Sequence, residues 1–350
     1  MFKIVTTDNR IVDQYAKQSH LESYVPDGVD ILLINLDGCT HDMFVWNYDK
    51  GMFKWYNFDN VYVFIDCTKE VSELAEIIEK YKEVVKRYNI NEDHVYWVTG
   101  NPNDKKYVKH HIYWEMFLTA IKELIPDRDE VLLSSRGLII DPDRTRESHP
   151  QKKFLCWNGR NRKWRREIYD KIKDKRVYTT PKTWKKGLLL EEFSYKFLHD
   201  DDYNACGDGG IKNGYEYWNQ FEDVCYLHEF WLVTETVNAS PELDYGHVFL
   251  TEKTFKPIIL KMGFVHVGSQ GSLKKLRDLG FKTFSDYWDE SYDTVDEEHD
   301  RRDALVETIK YIILNDVHVP DEILEYNYNV LKEHNADQEL KDTISNLTPI

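Results

Sequence analysis

The sequence predicts an α/β protein of two domains, and three observations carry that expectation. Short β-rich apolar runs alternate along the chain with longer segments of helical period. The 350 residues suit two domains of ordinary size, and a 41% hydrophobic content is enough for sizeable cores. Residues 137–151, rich in Gly, Pro, Asp and Arg, show no period and set a boundary. The expected division is a first domain over 1–150, a second over 151–318, and a closing helical segment over 319–350 that returns to brace the first.

The elements follow in order. In the first half the spacing predicts strands at Phe2–Thr6, Asp30–Leu36, Val61–Asp66, His94–Thr99 and Val131–Ser134. Between them, Val71, Leu74, Ile77, Ile78, Tyr81 and Val85 fall at helical spacing, so Thr68–Tyr88 is expected to be a helix capped by Thr68. A second helix is expected over Tyr107–Leu124. The second half opens with a strand at Lys153–Trp157, turns at Asn158-Gly159 and enters a helix from Arg162 to Lys173. Val177–Thr180 reads as a short strand, and the glycine-rich stretch 200–214 as a loop. Phe230–Thr234 and Phe264–Val267 read as strands, Thr251–Lys261 as a helix with Pro257 inside it, and Ser272–Leu279 as a helix ending at Gly280. Asp300–Leu314 and Asp321–Leu347 complete the helices.

Composition removes several classes of function. A net charge of −16 argues against a protein that coats nucleic acid. The charge is uneven, however: residues 151–187 hold 14 Lys and Arg against 3 Asp and Glu. A basic segment in an acidic chain suits a confined anion such as a diphosphate, with a solvated basic helix face as the competing reading. The five cysteines are widely spaced with no CxxC pair, which indicates neither a zinc site nor a disulfide framework and fits a reducing, cytoplasmic setting. No signal peptide opens the chain, and no apolar run approaches a membrane span, so no membrane partner is expected. Neither a Walker loop, a GxGxxG fingerprint, a GxSxG elbow nor an HExxH pair occurs.

Two constellations carry chemistry. The first is Asn158-Gly159-Arg160-Asn161-Arg162 leading into Arg165 and Arg166, a glycine turn between a strand and an arginine-rich helix start. Helix amides and guanidinium forks both favour anions there. The second is Glu235 at the end of an apolar strand, with Thr251-Glu252-Lys253 at a helix start. An acid and a cation at one sheet edge can take ribose hydroxyls and phosphate. The plainer reading of Glu252 is a first-turn acid favoured by the helix dipole.

The run Phe230-Trp231-Leu232-Val233-Thr234-Glu235-Thr236, then Phe249-Leu250-Thr251-Glu252-Lys253, then Phe264-Val265-His266-Val267-Gly268 resembles the donor-binding core of the α1,3-fucosyltransferase family. Arg165–Ile172 resembles that family's arginine-led helix. The resemblance covers about 120 residues of the second half, in order. It implies two Rossmann-like domains facing a cleft (the GT-B arrangement) and an inverting, metal-independent transfer from a nucleotide-diphosphate sugar. No cofactor or metal is implied, the nucleotide-sugar being a co-substrate. By the same resemblance Glu252 would hold the donor ribose, Lys253 and Arg165 the diphosphate, and Glu235 the sugar subsite. The sequence departs from the family pattern at Phe264 and Thr236, which leaves the sugar open. The stretch Leu276–Phe284 with Asp289–Asp293 looks like viral glycosyltransferase-like proteins, in which case the setting is host cytoplasm.

An inverting transfer needs a base. Strand ends of the first domain offer Asp37 and Asp66, and Asp37-Gly38-Cys39-Thr40-His41-Asp42 clusters three proton acceptors beside a glycine. Asp37 is the first expectation, with His41, Asp42 and Asp66 behind it. The acidic run 286–303, with nine Asp and Glu, reads as a solvated loop, the alternative being that Asp289, Glu290 or Asp293 reaches the sugar. A glycan or other small acceptor is favoured by the acidity. A hydroxymethylated pyrimidine in DNA and a non-catalytic nucleotide- or glycan-binding module stay open.

Overall fold

The computed structural model describes residues 4–6, 23–35, 60–67, 78, 82, 86, 89–100, 102–115, 118–119, 152–158, 163–174, 176–178, 186–188, 193–197, 227–235 and 248–350. The chain divides into two units, Met1–Ala120 with Asn335–Ile350, and Ile121–His334. The expected strand at 131–134 and the loop at 200–214 lie outside the described residues.

The first unit is built on five parallel strands: β1 (Ile4–Thr6), β2 (Ile31–Asn35), β3 (Tyr62–Cys67), β4 (Val95–Thr99) and β5 (His111–Tyr113). All six residues of β3 are buried. A strand buried along its whole length, and apolar but for Asp66, belongs in the middle of a parallel sheet covered on both faces. The strands lie in chain order, β1-β2-β3-β4-β5, so nowhere among them does the direction of strand addition reverse.

The expected helix over Tyr107–Leu124 is corrected. Its first part is a turn and then β5, and the helical residues described are Leu118 and Thr119. Ile112 is buried and pairs with Val98, while His111 bonds Thr99 through Nε2 at 2.9 Å. Tertiary pairing along β4 overrides a local pattern that reads as helical. Of the helix expected over 68–88, the described residues Ile78, Lys82 and Lys86 are helical.

The second unit carries a parallel four-stranded sheet of β6 (Lys152–Asn158), β9 (Phe193–Phe197), β10 (His228–Thr234) and β11 (Gly263–Val267). An antiparallel pair, β7 (Arg176–Tyr178) and β8 (Lys186–Leu188), lies apart from it. Neither β8 nor β9 is anticipated from the sequence. The helices are α1 (Lys163–Asp174), α2 (Glu252–Ile259), α3 (Ser272–Asp278), α4 (Glu298–Leu314) and α5 (Asp321–Glu333).

Register explains the core. Phe154 is in register with both Phe193 and Phe230, and the rings stack at 4.9 and 5.3 Å across three strands. Gly263 stands opposite Phe230, and a Cβ there would come within 2.6 Å of the Phe230 ring, so the missing side chain makes room for the aromatic one. Trp288 and Phe284 close the layer, edge-on to Phe230 and Phe264 respectively. Helices α1 and α4 are tied by Lys171–Asp303 at 2.5 Å and Glu167–Arg302 at 3.0 Å.

The single helix expected over 321–347 is two, α5 and α6 (Gln338–Ser345). The break falls at His334-Asn335-Ala336-Asp337, where His334 is extended and Asp337 occupies the cap of α6. Asn and Asp compete for backbone groups and favour such ends. Helix α6 packs in the first unit. Glu339 accepts from the Tyr113 amide at 3.2 Å, and the Thr348 carbonyl accepts from the Tyr62 hydroxyl at 3.0 Å.

Candidate functional site at the carboxyl edge of the second sheet

In the second unit the spatial order is β11-β10-β6-β9. From β6 the chain leads to β9 on one side, and from β10 to β11 on the other. The direction of winding therefore reverses between β6 and β10, and in open α/β sheets a ligand crevice forms outside the carboxyl ends at such a point. The strand ends that meet there are Asn158 and Thr234-Glu235.

Asn158 is buried, and its Oδ1 accepts a hydrogen bond from the Thr234 hydroxyl, which joins the two strand ends side chain to side chain. Helix α1 begins five residues after Asn158, with no acid in its first turn. Arg165 lies on that turn and is only 2% exposed. Its Nη2 donates to the carbonyls of Thr234 at 2.9 Å and Glu235 at 2.8 Å, and its guanidinium lies over the Trp164 ring. A guanidinium held this way fixes the start of α1 against the end of β10.

Glu235 is fully buried and continues β10 by donating its amide to the Val267 carbonyl at 2.8 Å. Its carboxylate latches the start of α2. Oε1 accepts from the Thr251 amide at 2.9 Å and from the Thr254 hydroxyl, and Oε2 accepts from the Thr251 hydroxyl at 2.7 Å. Thr251 is the N-cap of α2, its Oγ1 accepting from the Lys253 amide. The carboxylate is thus engaged by the protein's own donors.

Lys253 and Glu252 are the outward-facing pair of this edge. The Lys253 ammonium lies 2.9 Å from Glu252 Oε1 and 3.1 Å from Thr251 Oγ1. The side chains remain 27% and 34% exposed, enough to meet a ligand. Burial by itself would push the Glu252 carboxyl up, but the Lys253 and Lys256 ammonium groups outweigh it and hold the carboxyl down at about 2. The edge therefore presents a fixed carboxylate and a fixed cation side by side.

His266 was missed by the sequence reasoning. It is the second-last residue of β11, is 2% exposed, and its Nε2 lies 2.9 Å from Thr254 Oγ1. Burial lowers its basicity, against the pull of Glu235 and Asp293. A lone imidazole between Val265 and Val267 was the available signal, because a polar group in an apolar strand demands a buried partner.

Most acids of the run 286–303 are exposed, as a solvated loop requires, but Glu290 and Asp293 are buried. Asp293 is buried and caps α3, its carboxylate accepting from the amides of Leu273 at 3.0 Å and Lys274 at 3.2 Å. Glu290 accepts from the Phe284 amide at 2.8 Å and from Arg277, and burial raises its carboxyl above the usual range. Asp289 closes its own turn on Ser291. These bonds hold the run against α3 and its flanking turns.

Of the other expected site residues, Asp66 is buried next to the end of β3 in the first unit, in register with Asn35 and Val98. Asp37, His41, Asp42, Gly159, Arg160 and Arg162 lie outside the described residues. Among the described residues, no group of three or more His, Cys, Asp or Glu is arranged to hold a metal. Cys67 and Cys156 are buried, and no described helix is long and apolar enough to cross a membrane. The chain matches no family model, and neither a curated protein nor a solved structure matches it.

Proposed function

We propose that the protein is a glycosyltransferase that moves a sugar from a nucleotide-diphosphate sugar to an acceptor hydroxyl. The observation that carries the reading is the reversal of strand order between β6 and β10, with the Glu252–Lys253 pair at the same sheet edge. The start of α1 supplies backbone amides for the diphosphate. Lys253 supplies a positive charge to the departing nucleoside diphosphate, and Glu252 takes ribose hydroxyls. Arg165 and Glu235, engaged with the backbone and with α2, hold these groups in place rather than touching the donor.

In the reaction the acceptor oxygen attacks the anomeric carbon as its bond to the diphosphate oxygen breaks. The electron pair leaves with the nucleoside diphosphate, where fixed positive charge stabilises it. The acceptor proton goes to a base, for which the sequence offers Asp37 first and His41, Asp42 and Asp66 after it. Inversion and independence of metal are part of the reading, and the acceptor is a glycan or other small hydroxyl compound.

The test is titration calorimetry with GDP, UDP, CDP and ADP, followed by transfer assays with the sugar nucleotides of whichever base binds. Lys253→Ala is expected to weaken diphosphate binding by about 10- to 100-fold, the worth of a charge-assisted contact, while leaving the melting temperature near that of wild type. Turnover should survive EDTA. If none of the four nucleotides binds the wild-type protein, or if Lys253→Ala binds as well as wild type, the assignment is wrong.

A further inference from the structure

We infer that His266 is a positioning residue for the Lys253 ammonium, acting through a buried chain of hydrogen bonds, and this rests on the reading of Lys253 as the cation of the diphosphate site. The chain runs from His266 Nε2 to Thr254 Oγ1, from there to Glu235, from Glu235 to Thr251 Oγ1, and finally to Lys253 Nζ. Glu235, Thr251, Thr254 and His266 are all buried. Water therefore competes little with these bonds.

The proton count fixes the direction of every link. Each threonine hydroxyl has one proton, and both protons go to Glu235, from Thr254 to Oε1 and from Thr251 to Oε2. The Thr254 oxygen can then only accept at its contact with the imidazole, so neutral His266 carries its proton on Nε2. The Thr251 oxygen likewise accepts from the Lys253 ammonium. Nδ1 of His266 has no hydrogen-bond partner among the described residues, so the polar contact that justifies an imidazole at this position is the one to Thr254. Gly268 leaves room for the ring, since a Cβ there would lie 2.6 Å from its Cε1.

Removing the Nε2 donor frees Thr254 to turn its hydroxyl. Glu235 then loses an oriented donor on Oε1, Thr251 reorients with it, and Lys253 keeps Glu252 but loses a fixed second partner. The ammonium moves off the position at which it would meet a diphosphate. A residue that merely fills the core would have no such effect at a distance.

The experiment uses full-length protein labelled with 15N-lysine, the Lys253 ammonium resonance being assigned by Lys253→Arg. Wild type is compared with His266→Gln, His266→Leu and Thr254→Val. The Lys253 resonance is expected to shift in His266→Leu and Thr254→Val and to return toward wild type in His266→Gln, whose amide N–H restores a donor. With a nucleoside diphosphate as probe, affinity should fall about tenfold in the first two and recover in the third, the size of one hydrogen bond to a charged group. Should His266→Leu fail to fold, the near-isosteric Thr254→Val decides. A Lys253 resonance unmoved in Thr254→Val overturns the inference. If wild type binds no nucleoside diphosphate, the reading of the edge as a donor site falls, while the resonance still decides whether His266 positions Lys253.

Discussion

At the scale of single residues, the strongest constraint lies on Glu235. Its carboxylate is fully buried and accepts from the Thr251 amide, the Thr251 hydroxyl and the Thr254 hydroxyl. Replacing it with Ala leaves buried donors without an acceptor, and the expected loss is about 3 kcal/mol of unfolding free energy. Urea denaturation measures this, and an unchanged midpoint would mean that Glu235 does not latch α2. His266 gives a second expectation. Its folded pKa is lowered from the ordinary 6.5, chiefly by burial. The unfolded chain then takes up a proton that the folded one resists, so stability is full above pH 6.5 and falls as pH drops from there toward the lowered value. His266→Gln should flatten that part of the stability profile. Sequence reading reached Glu235 but not its role, because the role depends on Thr251 and Thr254 arriving 16 and 19 residues later.

At the scale of elements, two helix starts at the carboxyl edge are each closed by a carboxylate distant in sequence. Glu235 holds α2, and Asp293 caps α3 from a position beyond the helix itself. Asp293→Ala should cost about 1–2 kcal/mol, the usual worth of a cap, and raise hydrogen exchange at Leu273 and Lys274 before it does so elsewhere. Most elements were legible in the sequence where the apolar pattern was unambiguous. Phe230–Thr234 and Phe264–Val267 have no polar alternation to confuse them, and Thr251 signals its own cap. The misreadings have local causes. His111–Tyr113 pairs along β4 although its surroundings carry a helical pattern, and Phe193–Phe197 alternates at period two over only five residues, with Lys196 and Ser194 breaking its apolar run. Burial of Glu290 and Asp293 could not be read from an acidic run, since composition gives charge but not partners.

At the scale of the whole molecule, the closing segment 335–350 belongs to the first unit although it follows the second in sequence. Truncation after His334 removes the Tyr62–Thr348 and Tyr113–Glu339 bonds. Hydrogen exchange in β3 and β5 should then rise, with β10 and β11 unchanged. Equal loosening of both sets of strands would mean that the segment does not belong to the first unit alone. The alternation of apolar runs and helical periods fixed the α/β class and the positions of most strands, because side-chain period is a local property of the chain. Strand order is not local. That the second sheet reverses between β6 and β10 while the first follows chain order was decided by which strands pair. Pairing depends on packing between residues tens of positions apart, such as Phe154 with Phe193 and Phe230. The same holds for the site: the sequence supplied Glu235, Thr251, Glu252 and Lys253 as chemistry, and only the tertiary structure decided which carboxylate is walled in and which still faces solvent.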